Sequence, residues 1–516
     1  MNVRFEASLL SSPGPGDLRS AAELQKGRAP DPHIAPALIA EGAAAPALKQ
    51  LLGGGALAVT TGQQAGLFTG PLYAVLKGLS AAALAQELSS RGTPHVPVFW
   101  VAGDDHDFAE INHCTVIGQD GRPARVVLRE RSADAAMLPA YQERVGDDGV
   151  HALESLEALL PPSDFRTQAI AMLKQSYGAP GTNLAEAYAV AMADLLAPYG
   201  IVIARGWASG LKVASQGVLL GAARHAAEID RALAAEAGRL RARGAQVPVD
   251  VGQGLTLLML ETPQGRDRLR IVGEGRFETR RGGTAFTLAE LEAIVAASPE
   301  RLSGNVLLRP VVEAALFPTV AYLGGPGELA YLAQTGPVFE QLDVPRPARM
   351  PRLSGYLIDA KVDKVLEKYG LIPADFAQPE GALASRIAKG ELPESAAAAL
   401  NALRAALGER YAQLQSEAAA VDQTLKKAVE SERNRALVGA QEIEKKLVAA
   451  LKRTNETAIQ QVARARDQLY PGGVPQERVV SVVSFLSRYG RDVLDLLFDA
   501  ARTHARRLLD GAPGGA

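Results

Sequence analysis

Two stretches decide the fold: ALAVTTGQQAGLFTGP at 56–71 and VPVFWVAGDDHDFAEIN at 96–112. Ala56–Thr61 is a short apolar, β-branched run stopped by Gly62, the pattern of a buried strand. From Pro71 to Leu88, apolar residues recur at helical spacing: Leu72, Val75, Leu79, Ala83 and Leu84. Pro71 stands at the first helical position, where a missing N–H costs nothing. Val96–Ala102 is a second buried strand, ending at Gly103. Strand, helix and strand within such a span form a βαβ unit, and hence part of a parallel sheet.

Further strands are expected at Gly200–Arg205, Leu255–Glu261, Arg268–Gly273, Asn305–Arg309 and Thr319–Leu323. Roughly six strands fit one doubly wound sheet, with an insertion at about 118–163. The composition changes near Gln378, and no proline occurs from Glu394 to Tyr470. There Leu407, Tyr411, Leu414, Ala418, Val421, Leu425 and Ala428 follow 4-3 spacing, the seam of a coiled coil. A second stripe runs from Ile443 and Leu447 through Ala450 and Ala458 to Val462. One straight helix would be about 115 Å long. A hairpin turning near Glu432–Gly439 lets two antiparallel helices bury each other's stripe. The expected organisation is therefore a core at 1–378, an antiparallel coiled coil at 379–470, and a helical segment at 471–516 that returns to the core through an amphipathic helix at Val479–Leu497.

The chain has 516 residues, with 55 Lys+Arg against 57 Asp+Glu. This balance argues against duplex nucleic acid or an anionic membrane as the main partner. The single cysteine, Cys114, rules out an internal disulfide. It reads as a small buried apolar residue in Ile111–Ile117. Thiol poverty and the lack of an apolar leader fit the cytoplasm. No run reaches the ~20 apolar residues of a membrane span.

Ligands of open parallel sheets bind beyond the carboxyl ends of the strands. The loop Gly62–Gly70 stands there, and the helix after it favours an anion. It is neither a Walker loop nor G-x-G-x-x-G, and a glycine turn without a ligand is its plain alternative. Gln63 and Gln64 carry neutral amides that can read hydroxyls or carbonyls. After the second strand come Asp104, Asp105, His106 and Asp107, then Glu110 and Asn112. Asp104 and Asp105 are candidates for a Mg²⁺ site. The competing chemistry is acid–base work by His106, with flanking carboxylates expected to raise its pKa. A helix N-cap is the bland reading. Gly325 and Glu328 lie in a further strand-end loop. Arg309 sits at a strand end, and Arg346, Arg349 and Arg352 form a basic cluster suited to carboxylate or phosphate. Lys77 is expected to be exposed.

Several long stretches together resemble a known family: 60–88, 96–113, RPVVEAALFPTVAYLGGPGELAYLAQ at 309–334, MPRLS at 350–354, and LYPGGVPQERVVSVVSFLSRYG at 469–490. They are similar to the cysteine-adding enzymes of bacillithiol synthesis, the cysteine ligase BshC family, over nearly the whole chain. The resemblance implies a Rossmann-like core with connecting-peptide-type insertions and an antiparallel coiled coil supporting a homodimer. It implies addition of L-cysteine to glucosaminyl-malate with ATP, and Mg²⁺ as its companion. The signature loops of class I synthetases, His-Ile-Gly-His and Lys-Met-Ser-Lys-Ser, are not present as written. On this reading Gln63, Gln64, Gly66, Thr69 and Gly70 cradle the ligand. Asp104, Asp105, Asp107 and Glu110 hold metal or the sugar ammonium, and His106 deprotonates the amine. Arg309 and Arg352 take malate or phosphate, with Asn112, Gly325 and Glu328 nearby. Two other classes remain open: another cytoplasmic nucleotide-binding transferase for a sugar or amino acid, and a non-catalytic coiled-coil scaffold.

Overall fold

A computed structural model describes residues 2–8, 16–132, 135–379, 381–390, 392–454 and 456–510. Residues 133–134 of the expected insertion and 511–516 of the expected C-terminal segment lie outside the described residues. The chain divides into two compact units, Met1–Leu357 with Gln476–Ala516, and Ile358–Pro475.

The first unit is built on a six-stranded sheet. Its strands are β1 (Leu38–Ile39), β2 (Leu57–Gln64), β3 (His95–Ala102), β4 (Val202–Arg205), β5 (Thr319–Gly324) and β6 (Ala348–Pro351), in the order β6-β5-β2-β3-β4-β1. All neighbours are parallel except β1, which pairs antiparallel with β4. Side chains alternate between faces, as the pleat requires. Ala58, Val98, Trp100 and Ala204 pack with Leu211 and Leu219 on one face. Val59, Phe99, Val101 and Ile203 pack with Leu72, Val75 and Leu79 on the other. The crossover helix α1 (Leu72–Ser89) is buried on nearly all sides. The sheet covers one side of it, and the helix Asp492–Leu509 the other.

Three expectations about this unit are corrected. The strands Leu255–Thr262 and Gly265–Gly273 belong to a separate five-stranded antiparallel sheet. Only Pro263 and Gln264 connect them, and a parallel pair needs a crossover of a dozen or more residues. Asn305–Arg309 is not a strand. The Asn305 carboxamide oxygen accepts from the N–H of Leu307 (3.0 Å) and Leu308 (3.2 Å), and the turn feeds the helix Arg309–Leu316. The helix expected at Val479–Leu497 is two helices, Val483–Tyr489 and Asp492–Leu509, broken at Gly490 with φ 69°. Their apolar faces join the core shared by β2 and β3. In the 118–163 stretch, Pro123–Val127 pairs with His113–Ile117, and the helix Gly146–Leu159 sends Leu153 and Leu156 into that same core.

The second unit is helical. Its hairpin consists of Glu394–Val421 and Leu425–Thr454. The turn lies at Asp422–Thr424, earlier than Glu432–Gly439. The Asp422 carboxylate accepts from the Thr424 N–H at 2.8 Å and from its hydroxyl at 2.8 Å. This local bond pair closes the first arm. Leu407, Tyr411 and Ala418 are half-buried, whereas Leu414, Val421 and Leu425 are exposed. Arg404 and Glu444 pair across the hairpin. No helix among the described residues is long and apolar enough to cross a membrane.

Candidate functional site

The carboxyl ends of β2, β3 and β5 and the residue after β6 converge on a cavity of about 390 Å³. Small-molecule sites commonly span about 300–1,000 Å³. β2 continues past Thr61, so Gln63 and Gln64 are its last residues and both line the cavity. Gln63 donates to the Tyr73 hydroxyl (2.7 Å) and accepts from the Lys77 ammonium (2.8 Å), which fixes its amide orientation. Gln64 donates to Asp105 Oδ2 at 2.6 Å. Asp104 and Asp105 line the wall beyond β3.

Lys77 is not exposed. It is 1 % exposed and donates to Gly62 O (2.6 Å), Gln63 Oε1 (2.8 Å) and Glu328 Oε1 (2.7 Å). Burial lowers its pKa to about 8, against the pull of Glu328. Burial also raises the Glu328 carboxyl, but Lys77 outweighs it and holds the group below its ordinary value. The pair is therefore ionised at neutral pH. Gly325 donates its N–H to the same carboxylate at 3.0 Å, and both residues line the cavity.

His106 departs from expectation in its pKa. Burial and Arg266 lower it, and together they outweigh the upward pull of Asp105 and Asp107. Its Nδ1 stands 3.7 Å from Asp105 Oδ1 and 3.4 Å from Arg266 Nη1. Burial raises the Asp105 carboxyl, but Arg266, Gln64 and His106 hold it below its usual value. A neutral imidazole thus lies beside an ionised carboxylate. Asp107 and Glu110 are exposed. Partial burial, Asp107 and Asp105 place the Glu110 carboxyl above its usual value.

The metal candidates are already engaged. Asp104 pairs with the buried Lys212 at 2.7 Å, and Asp105 holds Gln64 and the His106 N–H (2.7 Å). Among the described residues, no group of three or more His, Cys, Asp or Glu could hold a metal ion. The donor set does not fit a protein-held Mg²⁺.

Several expected ligand residues serve the scaffold. Thr69 is fully buried, with its hydroxyl 3.3 Å from that of Ser481. The Tyr177 hydroxyl accepts from Thr69 N (3.2 Å) and donates to Gly66 O (3.1 Å). Phe68, Thr69 and Gly70 have φ of 49°, 71° and 63°. Two successive non-glycine residues in the left-handed region are a strained arrangement. Gly66, Thr69 and Gly70 do not line the cavity. Asn112 is buried and donates to Arg129 O at 3.0 Å. Cys114 is buried, and burial pushes its thiol up to about 12.

Arg309 and Arg352 both line the cavity, but each has a buried carboxylate partner. Arg309 holds Glu313 at 2.7 Å, and Arg352 holds Glu477 through two bonds of 3.0 and 2.8 Å. Arg346 and Arg349 instead donate to the carbonyls of Leu332 and Leu329. The sequence reading missed Tyr73, Lys212, Arg266, Glu477 and Arg478, and took the buried Lys77 as exposed. Lys77 and Lys212 did carry a signal: in each helix the next charge, Glu87 or Arg224, comes ten or more residues later.

The N-terminal Rossmann-like domain model of bacillithiol biosynthesis BshC matches residues 37–353, and the C-terminal coiled-coil domain model matches 355–507. This chain belongs to the BshC family. A protein of Salinibacter ruber named "Putative cysteine ligase BshC" is 34 % identical over 460 residues, covering 87 % of this chain and 81 % of its own length. One of the same name in Koribacter versatilis is 34 % identical, covering 87 % and 82 %. Another in Solibacter usitatus is 31 % identical, covering 88 % and 84 %. The BshC family models thus span both the sheet that carries the cavity and the helical hairpin.

Proposed function

We propose that this chain is a cysteine ligase that joins L-cysteine to glucosaminyl-malate, the amide-forming step of bacillithiol synthesis. The observation that carries the reading is a cation-rich cavity at the carboxyl edge, with Asp105 on its wall and a neutral His106 beside it. The relatives' name supplies the cysteine.

Amide formation joins the cysteine carboxyl carbon to the sugar nitrogen, and one carboxylate oxygen must first be phosphorylated or adenylated so that it can leave when the nitrogen attacks. A nucleoside triphosphate, when bound, supplies that activation. The Arg266 guanidinium on the cavity wall, which has no ion pair among the described residues, suits its phosphates. Ionised Asp105 holds the sugar ammonium, and His106 accepts the proton that the nitrogen loses. Gln63 and Gln64, locked by Tyr73, Lys77 and Asp105, present fixed amides to hydroxyls or carboxylates. The coiled coil serves as a homodimer arm. The test is a deletion strain assayed for bacillithiol and its precursor. Accumulated glucosaminyl-malate with lost bacillithiol is expected; unchanged thiol levels would remove the assignment.

A further inference from the structure

The charges around the cavity do not balance. Lys212 is matched by Asp104, Arg309 by Glu313, Arg352 by Glu477, and Lys77 by Glu328. Among the described residues Arg266 has no ion pair, but it lies in the field of Asp105 and donates to Ser303 Oγ (3.0 Å) and Gly304 O (2.7 Å). Arg478 differs from all of these. It lines the cavity and is exposed, and among the described residues no carboxylate stands within ion-pair distance of it. Its guanidinium carbon lies 6.0 Å from the centre of the Tyr73 ring, which the Arg352 guanidinium also approaches, at 5.5 Å.

The backbone that presents Arg478 is anchored on its N-terminal side. The Gln476 side chain bonds both the N–H (2.8 Å) and the carbonyl (3.0 Å) of Leu357. Glu477 takes Arg352 in a bidentate grip and also accepts the Gly355 N–H at 3.1 Å. Two successive buried side chains thus hold the turn, and the third points an uncompensated cation at the cavity. A surface arginine with no task would not need such a mounting.

We propose that Arg478 is the specificity-determining residue that takes an oxyanion of the substrate, a carboxylate of the acidic amino sugar or a phosphate of the nucleotide. The proposal rests on the ligase reading for the identity of the substrates. The paired Arg309 and Arg352 shape the wall, and Arg478 supplies the free charge. A bidentate guanidinium–oxyanion contact is worth about a tenfold or larger change in affinity.

The test uses the full chain with Arg478→Ala and Arg478→Lys. Calorimetry with L-malate and with inorganic pyrophosphate reads the anion site without any ligation. Ligation kinetics then give KM and kcat for each substrate. The expected result for Arg478→Ala is about a tenfold or larger weakening of one probe. The KM of the matching substrate rises in step, kcat changes little, and the unfolding temperature stays at the wild-type value. Arg478→Lys recovers part of the loss. A change confined to malate and the amino sugar identifies a carboxylate; one confined to pyrophosphate and ATP identifies a phosphate. Wild-type affinity of Arg478→Ala for both probes overturns the proposal, whatever the ligation assay gives. Loss of probe binding in Arg478→Ala, with no ligation by the wild type, overturns the ligase reading and keeps the anion site.

Discussion

Gly66–Gly70 and Gly103–His106 each follow a parallel strand at the same sheet edge, and each offers glycine and polar groups. Their fates diverge. The first loop turns inward: Leu67, Phe68 and Thr69 are fully buried, and Tyr177 and Ser481 tie its polar atoms down. The second keeps Asp104 and Asp105 on the cavity wall, while His106, partly exposed next to Asp105, is not among the lining residues. A polar group closed off inside the protein builds scaffold; one that faces a cavity, even with a protein partner, stays open to a ligand. The division of labour makes different demands on the two loops when they are mutated.

The largest expected effect is on the second loop. Asp105→Asn and His106→Ala should each lower kcat/KM for ligation by about 100-fold or more, the usual scale of a lost proton-transfer group. Their unfolding temperatures should stay close to wild type, because both side chains are partly exposed. Wild-type turnover by both variants would erase the distinction between the loops. A middling effect is expected at the first loop. Tyr177→Phe leaves the buried Thr69 N–H and Gly66 carbonyl without their partner, costing about 1–3 kcal/mol of stability. Urea unfolding reads this, and KM should hardly move. A raised KM with unchanged stability would make this loop a ligand cradle after all. The smallest effect is a shift in pH dependence. Burial and Arg266 depress the His106 pKa below 6.5, so the acid limb of the rate profile should have its midpoint below that value. Arg266→Gln removes one of the lowering charges, so the limb should move to higher pH. A limb that stays in place would separate His106 from the proton transfer.

Local patterns made much of the fold legible. The runs at 56–61 and 96–102, with a helical stretch between them, announced β2, α1 and β3, and the proline-free 4-3 stripe announced the hairpin. What the sequence hid depends on distant partners. Lys77 meets Glu328 across 251 residues, and Arg352 meets Glu477 across 125. Periodicity reports which face of an element is apolar, and a lone lysine on such a face reads as exposed until its partner is known. The pKa of His106 was misjudged for the same reason: the carboxylates are its neighbours in sequence, but Arg266 lies 160 residues away. The hairpin turn was placed too late because Glu432 interrupts the apolar phase, while the Asp422–Thr424 bonds that close the first arm leave no mark in hydrophobic spacing. Asp104 and Asp105 were legible as strand-end carboxylates. Their engagement with Lys212 and Gln64 was not.

The most direct measurement is ligation by the purified full-length chain, given L-cysteine, glucosaminyl-malate and ATP, with the products followed by mass spectrometry. The account predicts one cysteinyl amide formed per ATP cleaved, and none when ATP or cysteine is left out. No amide under any nucleotide, or equal formation without one, would contradict it.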